Sequence, residues 1–150
     1  MAEVHFYHLE RLSLEAALPQ LLEKCLQRGW RAVVRAGSPE RVEALAGHLW
    51  EYDRESFLPH GTSQDGFAAE QPVWLTHIPE NPNAAQVLFL VDGAGLEEVE
   101  GYARVCDLFD GADPDAVAAA RERWRAAKAA GASLKYWRHG PAGWQDKASG

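Results

Sequence analysis

The residues best suited to chemistry lie in one stretch, Arg121-Glu-Arg-Trp-Arg-Ala-Ala-Lys128. On a helix Arg121, Arg125 and Lys128 fall at i, i+4 and i+7 and share a face, with Trp124 at i+3 flanking it. Positions 117 and 129 are Val and Ala, so no acid four residues away neutralises Arg121 or Arg125. Guanidinium groups beside an indole suit a carboxylate joined to an apolar side chain, which is the chemistry of an acidic peptide. The plainer alternative is a solvated basic face with Trp124 as a core anchor.

A second set of residues invites an enzymatic reading. Asp92 and Gly93 follow the apolar run Gln86–Val91, and ligand sites of parallel sheets gather at the carboxyl ends of strands. The phosphate-binding fingerprint needs three glycines there, but Glu98 replaces the third after Gly93-Ala-Gly95. Glu97, Glu98 and Glu100 would repel a phosphate, and no Gly-x-x-x-x-Gly-Lys-Ser/Thr stretch exists. His5 and His8 are three apart on a strand and so face opposite ways. His48, His60, His77 and His139 make no metal-ligand spacing with another His or Cys. There is no Gly-x-Ser-x-Gly elbow, and Cys25 lies on an apolar helical stripe where a thiolate is disfavoured. These residues favour a binding module without catalytic residue, cofactor or metal. A nucleotide- or metabolite-binding α/β enzyme at Asp92 and Gly93 is the alternative.

The elements that must hold these side chains follow from composition and pattern. The 150 residues suit one domain, 1–150, and 47% hydrophobic content is that of a folded chain. No run of 18 apolar residues is present, the start lacks the pattern of a signal peptide, and two unpartnered cysteines fit a reducing, cytoplasmic setting. Charge is uneven: residues 116–150 carry seven basic and two acidic residues, against eight and twenty in residues 1–115. That acidity disfavours general nucleic-acid binding and leaves a basic patch at the C-terminal end.

Val4–Leu9 reads as a strand, and Leu14, Ala17, Leu18, Leu21, Leu22, Cys25 and Leu26 as a helical stripe between Ser13 and Gly29. Pro19 starts the regular helix or kinks it. Trp30–Val34 is a second strand, and Ser38-Pro39 opens a second helix to about Trp50. Residues 51–71 read as a long surface loop in which Phe57 and Leu58 form an anchor or an exposed patch. Strands follow at 73–76, at 86–91 and within 102–109, then a helix from Asp113-Pro114 to about Ala130. The last nineteen residues, with Tyr136, Trp137 and Trp144, are expected to pack back on the body. This order predicts an α/β fold, a Rossmann-like three-layer sandwich with a mainly parallel sheet and no nucleotide-binding glycine loop.

With these residues in view the chain resembles the chi subunit of bacterial DNA polymerase III. The resemblance rests on Phe6-Tyr7, Arg28-Gly-Trp-Arg-Ala-Val-Val34, Leu49-Trp50, Glu55-Ser-Phe-Leu-Pro-His60 and Pro72-Val73. It continues through Val91-Asp92-Gly93, Arg121-x-Arg123-Trp124 with Lys128, Ala130-Gly131, and Gly143-Trp144 with Lys147, and is poor over 93–104. It implies a non-catalytic accessory subunit of the clamp-loader complex, monomeric when free, that touches neither membrane nor nucleic acid. Such a protein bridges the psi subunit to the acidic C-terminal tail of single-stranded DNA-binding protein, which ends in aspartates and a phenylalanine. The tail pocket would fall on Trp50, Phe109, Arg121, Trp124, Arg125 and Lys128, and the psi contact on Phe57, Leu58, Pro59 and His60. Val117 departs from the family by standing where better-known relatives carry a basic residue.

The resemblance gives Phe57 a partner rather than a core position. Phe57→Ala is then expected to melt almost normally when free while losing co-purification with psi. A buried anchor would instead lose about 3–5 kcal/mol in a melting scan, with the complex intact.

Overall fold

The computed structural model describes residues 3–10, 12–51, 59–94, 99, 101–140 and 143–149, from 139 onward as backbone only. Its strands are β1 (Glu3–Leu9), β2 (Ala32–Arg35), β3 (Val73–Thr76), β4 (Val87–Leu90), β5 (Arg104–Asp110), β6 (Ser133–Gly140) and β7 (Gly143–Ser149). Its α-helices are α1 (Leu14–Gln27), α2 (Pro39–Glu51) and α3 (Pro114–Ala129), with a 3-10 turn at Ala68–Glu70.

The strands form one sheet in the order β3-β2-β4-β5-β1-β6-β7. All but β7 run parallel, and β7 pairs antiparallel with β6. Strands covered on both faces are mostly apolar, and β2, β4 and the edge strand β3 are buried at every residue, with Arg35 and Thr76 as polar exceptions. Helices α1 and α2 pack on one face over Tyr7, Val34, Phe89 and Leu108. Helix α3 packs on the other over Val4, Phe6, Val105 and Leu134. The α/β sandwich with a mainly parallel sheet is therefore present.

The helix ends obey the local chemistry. Ser13 accepts from the Ala16 amide and Asp113 from the Asp115 amide, while Gly29 and Gly131 take the positive φ of 78° and 85° that closes α1 and α3. Pro19 neither starts α1 nor ends it; it lies inside the helix. A proline there leaves the carbonyl four residues earlier without its amide donor. That carbonyl, of Glu15, instead accepts from Nε2 of His48 on α2 at 2.6 Å. His48 thus has a structural task.

Two regions differ from the pattern-based expectation. The loop at 51–71 is not all surface: His60, Gly61 and Thr62 are buried, and Gly61 bridges to Trp74 alongside β3. Residues 133–149 do more than pack back, since they complete the sheet as β6 and β7. Tyr136 and Trp137 are adjacent aromatics, which hides alternation, yet in β6 they go to opposite faces and join different cores.

If β6 is part of the sheet, its buried Leu134 is a core residue. Leu134→Ala should then cost about 2–5 kcal/mol in urea unfolding, where a residue of a loosely attached tail would cost less than about 0.5.

Candidate partner-binding site

Helix α3 carries little large apolar surface toward the sheet: its buried residues are Ala120 and Ala127, with Val117 and Trp124 partly buried. What fixes its rotation is polar. Asp107 projects from β5 with 2% exposure, and Arg123 holds it through two hydrogen bonds, from Nε at 2.5 Å and from its terminal nitrogen at 3.0 Å. Burial pushes the Asp107 carboxyl up from its ordinary pKa, and the guanidinium pulls it back. Successive helical residues turn by about 100°. With Arg123 facing one side of the contact, Trp124 and Val117 come over the sheet, and Arg121 reaches the opposite rim.

The result is a pocket of about 400 Å³ between α3 and the strands β1, β5 and β6. Phe6, Phe109, Trp124 and Tyr136 give it an aromatic lining, and Arg121 stands at its edge with Val117 and Ala120. The indole of Trp124 meets Phe6 edge-on at 5.3 Å and Tyr136 at 6.0 Å. The Tyr136 ring is held from behind, because its hydroxyl is hydrogen-bonded to Nδ1 of His8. His8 Nε2 lies 3.1 Å from Glu10, which in turn pairs with Arg138. Burial raises the Tyr136 hydroxyl pKa, so it remains a neutral donor. Among the described residues Arg121 has no ion-pair partner. An apolar slot beside an unpaired guanidinium accepts an apolar side chain together with a carboxylate.

A profile of the family described as "DNA polymerase III chi subunit, HolC" matches residues 1–135. This chain belongs to that family. A protein of Rickettsia prowazekii named "Probable DNA polymerase III subunit chi" is 32% identical over 108 residues, 70% of this chain and 66% of that one. The "DNA polymerase III subunit chi" of Pseudomonas aeruginosa is 25% identical over 128 residues, 83% of this chain and 88% of its own.

In this chi-family chain the residues expected to form one tail pocket are divided. Phe109, Arg121 and Trp124 come together in it. Lys128 is exposed two turns along α3 from Arg121, about 10 Å by helical rise. Arg125 is not unneutralised as its i±4 neighbours suggest: it pairs with Glu122 three residues back, both side chains being 70% exposed. Trp50 is not at the pocket. It ends α2 on the other side of the sheet, 54% exposed, with its ring 4.5 Å from that of His60. Of the expected psi contact, Phe57 and Leu58 lie outside the described residues, Pro59 is half-buried, and His60 is buried with Nε2 3.0 Å from the Ala46 carbonyl. Phe6 and Tyr136 were not anticipated, since β1 and β6 are distant in sequence from α3.

Asp92 and Gly93, the alternative site, line a separate crevice of about 820 Å³ at the carboxyl ends of β1, β4 and β5. Its charged lining is Glu10, Glu15, Asp92, Asp110, Asp113 and Asp115 against Arg41 and Arg123. Arg41 binds Asp92 at 2.7 Å, Arg123 is held by Asp107, and Asp92 itself adopts a positive φ of 55°. Six carboxylates against two engaged guanidiniums repel a phosphate. Residues 95–98 of the glycine stretch lie outside the described residues. Among the described residues no cluster of His, Cys, Asp or Glu could hold a metal ion, and no helix is long and apolar enough to cross a membrane.

Arg123, the middle arginine of the motif, is thus a structural residue. Arg123→Ala leaves the Asp107 carboxylate buried and unpaired, and should cost about 3–5 kcal/mol in chemical unfolding. Arg121→Ala, two residues away, should stay within about 0.5 kcal/mol of the parent protein.

Proposed function

We propose that this chain is a non-catalytic accessory subunit of the DNA polymerase III clamp-loader complex, bridging psi to the acidic tail of single-stranded DNA-binding protein. One observation carries the reading: the aromatic pocket under α3 with Arg121, unpaired among the described residues, at its rim. A terminal phenylalanine would enter among Phe6, Phe109, Trp124 and Tyr136, and a carboxylate would meet Arg121. Lys128 supplies a second positive charge further along α3 for acids upstream in the tail. Arg125, already paired with Glu122, contributes a weaker, more screened attraction.

The psi contact is assigned to Phe57, Leu58, Pro59 and His60, and the exposed Trp50 belongs with it. Its ring packs on His60, and α2 lies on the face of the sheet opposite the tail pocket, which supports grouping it with that contact. The two partners would then bind opposite faces, so a chain can hold both at once. Family membership supports the non-catalytic reading.

Calorimetric titration with a peptide ending in aspartates and a terminal phenylalanine tests the assignment. Arg121→Ala should lose about 1.5–3 kcal/mol, roughly ten- to a hundredfold in affinity. Arg125→Ala should lose less than about threefold, because its charge is exposed and shared. Binding should also weaken with salt, over a Debye length of about 8 Å at physiological ionic strength. Equal affinity for the parent protein and Arg121→Ala would remove the tail from this pocket.

A further inference from the structure

A different pocket, of about 370 Å³, opens on the other face of the sheet beside the last turns of α1. Its floor is apolar, with Leu21, Phe89 and Cys106 buried, and its charged rim is Lys24, Arg28 and Arg104. No acid lines it among the described residues. Glu3, a carboxylate outside the lining, is engaged by His5 and lies 3.6 Å from Arg104. Helix polarity explains cations at the end of α1, where Lys24 and Arg28 sit. It does not explain Arg104, which comes from the start of β5.

The two guanidiniums are fixed by a shared ring. Arg28 lies 4.7 Å and Arg104 5.4 Å from the centre of the Trp30 indole. The Nε of Arg104 is buried and donates to no described group. The rest of the Arg104 side chain stays partly exposed, 24%, so its guanidinium reaches the pocket rim although Nε itself is covered. The volume lies within the range of small-molecule sites, and an apolar floor under convergent charged groups is their usual construction. We propose that this pocket binds a small organic anion, a carboxylate or sulfonate on an aromatic or acyl body, with the anionic group at Arg28 and Arg104 and the body over Phe89 and Leu21. This site is independent of the tail pocket.

The probe pair is 1-anilinonaphthalene-8-sulfonate and its uncharged counterpart N-phenyl-1-naphthylamine, titrated by fluorescence into the full chain. The sulfonate should bind saturably and at least tenfold more tightly than the neutral compound. The Lys24→Gln/Arg28→Gln double variant should lose at least tenfold in the sulfonate affinity read by protection of Cys25, a readout local to this pocket. Saturating sulfonate should also slow iodoacetamide alkylation of the half-buried Cys25, which lines this pocket, at least fivefold in the parent protein. Equal affinity for the two probes, undiminished affinity in the folded double variant, or unprotected Cys25 in the parent protein would each overturn the proposal.

Discussion

The rotation of α3 depends on one buried ion pair. Helix α3 reaches the sheet mostly through alanines, which allow close approach but supply little shape to resist turning. The Asp107–Arg123 pair sets the angle, and a buried carboxylate tolerates no other arrangement that leaves it without its donor. Everything distinctive about the adjacent surface follows from that angle. Trp124 lies over Phe6, the aromatic slot stays open, and Arg121 is held at the rim, where no carboxylate among the described residues pairs with it.

Around this constraint the sheet separates three environments by chemistry. The α3 face has an aromatic slot with a lone guanidinium. The carboxyl ends of β1, β4 and β5 form a crevice rich in carboxylates, where many parallel sheets hold phosphates. The α1 face has an apolar pocket rimmed by cations on a shared indole. An acidic peptide approaching the molecule is repelled by the second and attracted to the first. The net charge of −7 therefore does not argue against an acidic partner, because local geometry decides what the field does at contact distance.

Much of the architecture was legible in the sequence because it rests on local rules. Caps at Ser13 and Asp113, Ser38-Pro39 at the start of α2, glycines at 29 and 131, and the apolar stripe of α1 located all three helices. What escaped was long-range. Pro19 read as the start of the regular helix or a kink in it, because the donor that satisfies the Glu15 carbonyl, His48, sits 33 residues away. Residues 133–149 hid their strands because Tyr136 and Trp137, adjacent in sequence, each pack partly buried against a different core, so the aromatics do not alternate with polar residues. At the site, Arg121 and Trp124 were visible by type and spacing, but Arg123 could not be told from its neighbours. The signal was elsewhere: Asp107 is a lone acid within Val105-Cys-Asp-Leu-Phe109, and an acid in so apolar a strand demands a basic partner. Arg125 was misjudged because only the i±4 positions were weighed, and Glu122 lies at i−3.

The central claim is that an acidic peptide with a terminal aromatic residue binds the slot under α3. Amide and indole chemical-shift mapping in solution, during titration of such a peptide into isotopically labelled protein, reads it directly. The account predicts saturating shifts at Phe6, Phe109, Arg121, the Trp124 indole and Tyr136, with little change at Ser13, Leu14 and Asp92. Shifts concentrated on the crevice around Ser13 and Asp92, with the Trp124 indole unmoved, would contradict it.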